Sequence, residues 1–290
     1  MRPAQASAER YGASRALRAT LSAWAGIFRM TLRERMQYRI VLLSRITVNA
    51  FWGAVHATIM LVYFTLGTGA SQEMTAAQAV SYIWIGQILF NLQPGQYDGA
   101  VWEKIRSGDI GVELLRPLSL YGHWFMRSMA VRVAPFLIAI VPITLVGLAM
   151  PGGIALSGPA SLAGLMGCVI LTAGALVLGV AVQCFQYAMM SSHLWGPDVT
   201  NISTLIVQIL SGAYLPLALW PDALQPFLRL QPFAGMWDLP LRAYLGMGDA
   251  AGIAGIAGAL AIQLLWSAVI IAAGWLILRR SLRSIVIQGG

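Results

Sequence analysis

Charge is scarce in this chain. Nineteen bases and 11 acids among 290 residues make up 10% of the sequence, where a soluble domain carries about 25%. So little charge cannot clothe a water-facing globule of this length. Cysteine is nearly absent too. Cys168 and Cys184 fall in one helical stretch, where a rise of about 1.5 Å per residue puts them roughly 24 Å apart, beyond disulfide reach. The three histidines, His56, His123 and His193, lie on three separate segments. No H-E-x-x-H, C-x-x-C or G-x-S-x-G arrangement occurs, so the usual metal and nucleophile sites are missing. The one lysine, Lys104, stands in W-E-K-I-R-S-G rather than in a G-x-x-x-x-G-K-[ST] phosphate loop. The chain is therefore expected to have no catalytic residue, no metal and no directly bound cofactor. Any ATP energy has to come from another polypeptide.

Apolar residues are plentiful. They form 58% of the chain, and mean hydropathy is +0.71. Several continuous apolar runs reach the roughly 20 residues that a helix needs to cross a bilayer. A transmembrane barrel would show alternating segments of about ten residues instead. The expected fold is all-α, a polytopic membrane protein with about six spans near 44–66, 79–97, 131–150, 161–189, 199–219 and 252–278. Nothing at the N-terminus reads as a cleaved signal peptide. Seventeen of the 19 bases then fall on one side, in 1–45, 98–132 and 279–283, against Arg229 and Arg242 on the other. Bases mark the cytoplasmic face, which places both termini and the 98–132 loop on the cytoplasmic side. Topology accounts for the net charge of +8, so nucleic acid is not an expected partner.

The segment 14–39 is amphipathic. Leu17, Leu21, Trp24, Phe28 and Leu32 recur at helical spacing, with Arg15, Arg18, Arg29 and Arg33 opposite. Such a helix lies in the membrane interface, its arginines toward lipid headgroups. Arg35 and Arg39 break the pattern and are expected either to snorkel or to face protein. Trp52, Trp84, Trp124, Trp195, Trp220 and Trp275 fall near span ends, as an aromatic belt requires. Gly252, Gly255 and Gly258 suggest close helix packing in the last span.

Within the spans the polar groups that could mark a translocation path are His56 and Asn91. Two segments stand apart from the lipid-soluble background. The loop 98–132 holds four acids and five bases, and a short helix is expected over 99–107, ended by Gly108. Mixed charge with an aromatic suits a docking surface for a soluble partner. The segment 213–249 carries five of the 13 prolines among aromatic residues. It is too broken for a span and too apolar for a free loop, so re-entrant or amphipathic helices are expected on the outer side.

This layout resembles that of the membrane-spanning subunits of type-2 ABC (ATP-binding cassette) exporters, and the run G-D-I-G-V-E-L-L-R-P-L at 108–118 is similar to a sequence in a bacterial branch of these permeases. The resemblance implies a permease subunit of an ATP-driven exporter, paired with a second permease and with a dimer of cytoplasmic ABC ATPases that hold ATP and magnesium. It implies that 99–107 is the coupling helix seated on the ATPase, with Trp102, Glu103, Ile105, Arg106 and Asp109 as contacts and Glu113 and Arg116 fixing the loop. The apolar spans favour a lipid-like or amphipathic cargo. Two other readings remain open on the sequence: an ion-coupled secondary transporter, and a membrane assembly protein that transports nothing.

Overall fold

The computed structural model describes residues 3–37, 39–67, 74–95, 98–107, 119–192 and 195–284, and among them every regular element is helical. Two helices come first, α1 (Pro3–Gln37) and α2 (Arg39–Thr65). Next are α3 (Ala76–Leu89) and the short α4 (Gly99–Ser107). The long helices α5 (Leu120–Ala149) and α6 (Leu162–Ser191) follow, then α7 (Pro197–Ser211). Two short helices, α8 (Gln225–Leu230) and α9 (Asp238–Leu245), precede the closing α10 (Gly252–Ser284).

Among the described residues four stretches are long and apolar enough to cross a membrane: Leu43–Thr65, Leu120–Ala149, Leu162–Ser191 and Gly252–Arg283. The expected spans at 79–97 and 199–219 come out shorter, as α3 and α7, of 14 and 15 residues. At about 1.5 Å per residue each covers just over 20 Å, less than the roughly 30 Å of hydrocarbon. Local chemistry sets both limits. After α3 a 3-10 turn over Phe90–Leu92 leads to Gln93, which is extended (ψ 150°) because Pro94 disfavours the helical region for its predecessor. Helix α7 starts with Pro197 in its first turn and stops at Gly212, whose φ of +90° closes a left-handed cap. At the start of α3, Thr75 and Gln78 form a reciprocal capping box, the Thr75 N–H donating to Gln78 Oε1 at 2.9 Å.

Helix α6 is the central post. Of its apolar window 61% is buried, against 17% for those of α2 and α10, so the latter two keep broad faces for lipid. Its most extensive interface is with α10. Helices gain little from hydrophobic burial inside lipid, so close backbone approach over small residues has to hold them. The glycines that do this sit mainly on α6. A Cβ at Gly167 would meet Ile256 at 2.4 Å, and one at Gly174 would meet Gln263 at 2.2 Å. Of the three glycines expected to pack, Gly252 and Gly258 face open space.

The tryptophans divide. Trp52 and Trp275 are 49% and 44% exposed, as belt residues should be, but Trp84 and Trp124 are fully enclosed. Trp84 packs in the largest core cluster and donates its indole N–H to the Ile154 carbonyl at 2.8 Å. The segment 213–249 folds as α8 and α9 joined by 3-10 turns, and it packs chiefly on α6. A buried polar contact ties it to α3. Tyr82 Oη lies 3.1 Å from Asp238 Oδ1, and the Arg242 guanidinium stands 3.8 Å from the same carboxylate.

Candidate coupling site

Helix α4 has nine residues and two faces. Val101 and Ile105, four residues apart and so on one side, are buried against Leu120 and Trp124 of α5 and Tyr187 and Ala188 of α6. Glu103 is exposed, while Trp102 and Lys104 are half-buried. Ile105, expected on the partner-facing side, is thus part of the chain's own core. Burying an isoleucine stabilises by about 1.5–3 kcal/mol, which holds α4 against the bundle.

Asp98 stands immediately before α4 and caps it. Its carbonyl accepts the Trp102 N–H at 2.9 Å, and its Oδ1 accepts the Ala100 N–H at 3.2 Å. The same carboxylate, 1% exposed, receives Arg35 Nη2 of α1 at 3.1 Å and Arg127 Nε of α5 at 2.6 Å. The Asp98 N–H donates to the Tyr187 hydroxyl of α6 at 3.0 Å. A buried carboxylate is costly unless paired, and here two guanidiniums and the Ala100 N–H surround it. Three helices therefore converge on the residue that begins α4.

A second knot lies just before it in sequence. Arg132 of α5 is fully buried, with Nη1 donating to the Ser128 carbonyl and Nη2 to Gln183 Oε1, both at 2.9 Å. That same Oε1 accepts the Gly95 N–H at 3.0 Å. Gly95 adopts a φ of +95°, and a Cβ there would stand 2.7 Å from Thr204 Cγ2 of α7. Only glycine fits this elbow. The chain entering α4 is consequently gripped at Gly95 and at Asp98.

Among the remaining expected site residues, Asp109, Glu113 and Arg116 lie outside the described residues, as do the side chains of Arg106 and Leu17. Leu21 is half exposed, Arg29 and Arg33 are exposed, and Trp24 and Phe28 are half-buried. Helix α1 packs along α5, where a Cβ at Gly122 would stand 3.1 Å from the nearest ring carbon of Trp24, a tight contact. Thr31 is fully buried, and Arg35, one turn further, reaches Asp98. Of the two fates open to Arg35, facing protein is the one observed.

His56 is half-buried on α2, its ring 5.7 Å from Trp52. Asn91 is buried and donates to the Ile88 carbonyl at 3.3 Å. It lines a cleft of about 240 Å³ with Ser44, Arg45, Val48, Asn49 and Phe90, and His56 is not on its wall. The structure thus does not bring these two candidates into one site.

Asp98, Arg127, Arg132 and Tyr187 do not stand out as site residues in the sequence. Two signals were available. An aspartate directly before a short amphipathic run is a cap signature, and Arg127 and Arg132 are ionisable groups inside a 30-residue apolar helix. The partners of each were not readable, because they come from helices far apart in the chain.

The decisive comparison is with families. The model of a family described as ABC-2 family transporter protein matches residues 51–289. The chain belongs to the ABC-2 transporter family. No curated protein and no solved structure matches it. This ABC-2 protein is accordingly the membrane permease of an ABC transporter, the component without an ATPase domain, and membership implies an ABC ATPase as its companion. Its α4 clamp lies within the matched region, whereas α1 lies before it.

Proposed function

We propose that this permease is driven through α4 by a cytoplasmic ATPase dimer and exports a lipid-like or amphipathic molecule, working beside a second permease subunit. It makes six passes through a bacterial inner membrane with both termini cytoplasmic. Helices α3 and α7 are two of the passes, completed by flanking turns that neighbouring helices shield from lipid. The segment 213–249 is a re-entrant outer cap, and α1 lies along the inner interface, its Arg29 and Arg33 toward headgroups. Mg-ATP stays on the companion.

The observation that carries this reading is the clamp at Asp98. A helix that moves alone would transmit no work. Here α4 is capped by a residue that is ion-paired to α1 and α5 and bonded to Tyr187 of α6. Displacing α4 therefore strains three long helices together. ATP binding can shift the permease only through contacts that differ between its states, and α4 is placed to make them. Glu103 is exposed for that role, with Trp102 beside it and with Arg106, Asp109, Glu113 and Arg116 proposed to continue the surface. The amphipathic cargo is supported by the cleft at Asn91, where Ser44, Arg45 and Asn49 lie beside Val48 and Phe90.

The test is co-purification and coupled ATP hydrolysis with the companion ATPase. Trp102→Ala combined with Glu103→Arg should release the ATPase or abolish its stimulation by the permease, with the fold retained. Normal binding and stimulation in that double variant would show that α4 is not the docking helix.

A further inference from the structure

A cleft of about 460 Å³ lies between the N-terminus of α5 and the last turns of α10. Leu120, Tyr121, Leu278 and Leu282 form its walls, and Arg279 and Arg283 line it together with Trp275. Residues 275, 279 and 283 are four apart, so they form one stripe on α10. The Arg279 guanidinium lies 5.1 Å above the Trp275 ring, a cation–π contact that holds it in place. Among the described residues no acid lines the cleft.

The start of α5 also favours an anion. The first turn of a helix presents N–H groups with no acceptor of their own. In α5 the first backbone bond back is from His123 to Ser119, at 3.0 Å, and Ser119 makes no side-chain cap. A helix of 30 residues adds its dipole at that end, which favours a phosphate. Tyr121 closes the floor of the cleft; it is only 7% exposed, and its hydroxyl is turned toward Gly274 of α10.

We propose that this cleft seats an anionic phospholipid, its phosphodiester between Arg279, Arg283 and the first turn of α5, and its acyl chains along Leu120, Leu278 and Leu282. A free phosphate would have no use for the apolar walls. Trp275, 44% exposed near the end of the Gly252–Arg283 candidate span, marks the depth where headgroup and hydrocarbon meet. The leaflet is the cytoplasmic one on the topology proposed above; the binding itself does not depend on that topology. A lipid bound here bridges α10 to α5 beside α4, so it strengthens the seat of the coupling helix.

The test uses the full chain, purified in detergent and exchanged into an equimolar mixture of phosphatidylglycerol and phosphatidylcholine, with bound lipid counted by native mass spectrometry. The wild type should retain phosphatidylglycerol preferentially. Arg279→Gln and Arg283→Gln should each weaken retention about fivefold, and together about thirtyfold, at the usual worth of one interfacial arginine. Arg280→Gln removes the same charge from a neighbour that does not line the cleft and should change nothing. Equal loss in Arg280→Gln, or equal retention of both lipids by the wild type, overturns the proposal. Should the double variant fail to stay monodisperse, a photoreactive phosphatidylglycerol on the wild type decides: labelling at 119–121 and 275–283 supports the site, and labelling elsewhere overturns it. No nucleotide or ATPase is present, so failure here is distinct from failure of the coupling reading.

Discussion

Arg127 Nε meets Asp98 Oδ2 at 2.6 Å, and this contact joins the start of α4 to the buried face of α5. The two residues are 29 apart in sequence and belong to different environments. Asp98 opens a short charged segment, while Arg127 sits in a helix long and apolar enough to cross a membrane. Arg35 of α1 completes the group from the other side at 3.1 Å. Since the carboxylate is almost fully enclosed, it has no water to fall back on when a partner is removed.

Breaking one side of such a group costs more than the group itself contributes. Asp98→Ala should destabilise the protein by about 1–3 kcal/mol, because Arg127, 14% exposed, loses a carboxylate acceptor, while Arg35, 35% exposed, can turn to water. Hydrogen exchange in residues 99–107 should rise sharply in that variant. Glu103→Ala, on the exposed face of the same helix, should leave it unchanged. Equal protection of α4 in both variants would remove the clamp from the account.

Gly174 and Gly258 make opposite predictions from the same residue type. A side chain at Gly174 drives into Gln263, whose amide donates to the Leu171 and Gly235 carbonyls at 2.9 and 2.7 Å. Gly174→Val should cost about 1–3 kcal/mol from overpacking, more where those bonds are lost. Gly258→Ala fills open space in a helix and should be neutral or stabilise by up to about 1 kcal/mol. Thermal unfolding in detergent, followed by tryptophan fluorescence, separates them.

Tyr82 and Asp238 link α3 to α9 across a buried contact of 3.1 Å. Tyr82→Phe keeps the ring and removes the donor, leaving the carboxylate with one partner fewer. About 1–3 kcal/mol of stability should be lost, read as a lower melting temperature and as faster proteolysis in 213–249. Unchanged proteolysis of that segment would mean that other contacts hold it.

Arg132 tests the second knot. Arg132→Leu removes a cation that donates to Gln183 Oε1, the same atom that holds the Gly95 N–H. The elbow before α4 should loosen while the ATPase still docks. Coupled transport is therefore expected to fall further than ATPase affinity does. A parallel fall in both would place Arg132 in docking rather than in transmission.

Composition and periodicity were enough for the helical class, the four long apolar crossings and the short helix at 99–107, since lipid allows few ways to satisfy a backbone and charge is excluded from its interior. The asymmetry of the bases, the resemblance and the absence of a phosphate loop likewise pointed to a permease run by another protein's ATP, and each could be read in a single stretch of chain. What needed three dimensions was the choice of partner. Trp84 and Trp124 have the spacing of belt residues, yet neighbouring helices enclose them. Gly252 and Gly258 look like packing glycines, yet Gly167 and Gly174 are the ones that α10 presses against. Ile105 and Trp102 share one short helix, but only packing on Tyr187 and Trp124 decides that Ile105 is enclosed and Trp102 half-buried. Asp98 reads locally as a helix cap and nothing more. Its pairing with Arg35 and Arg127 exists because α1, α5 and α6 pack at one place, and no local pattern encodes a contact between helices that far apart in the chain.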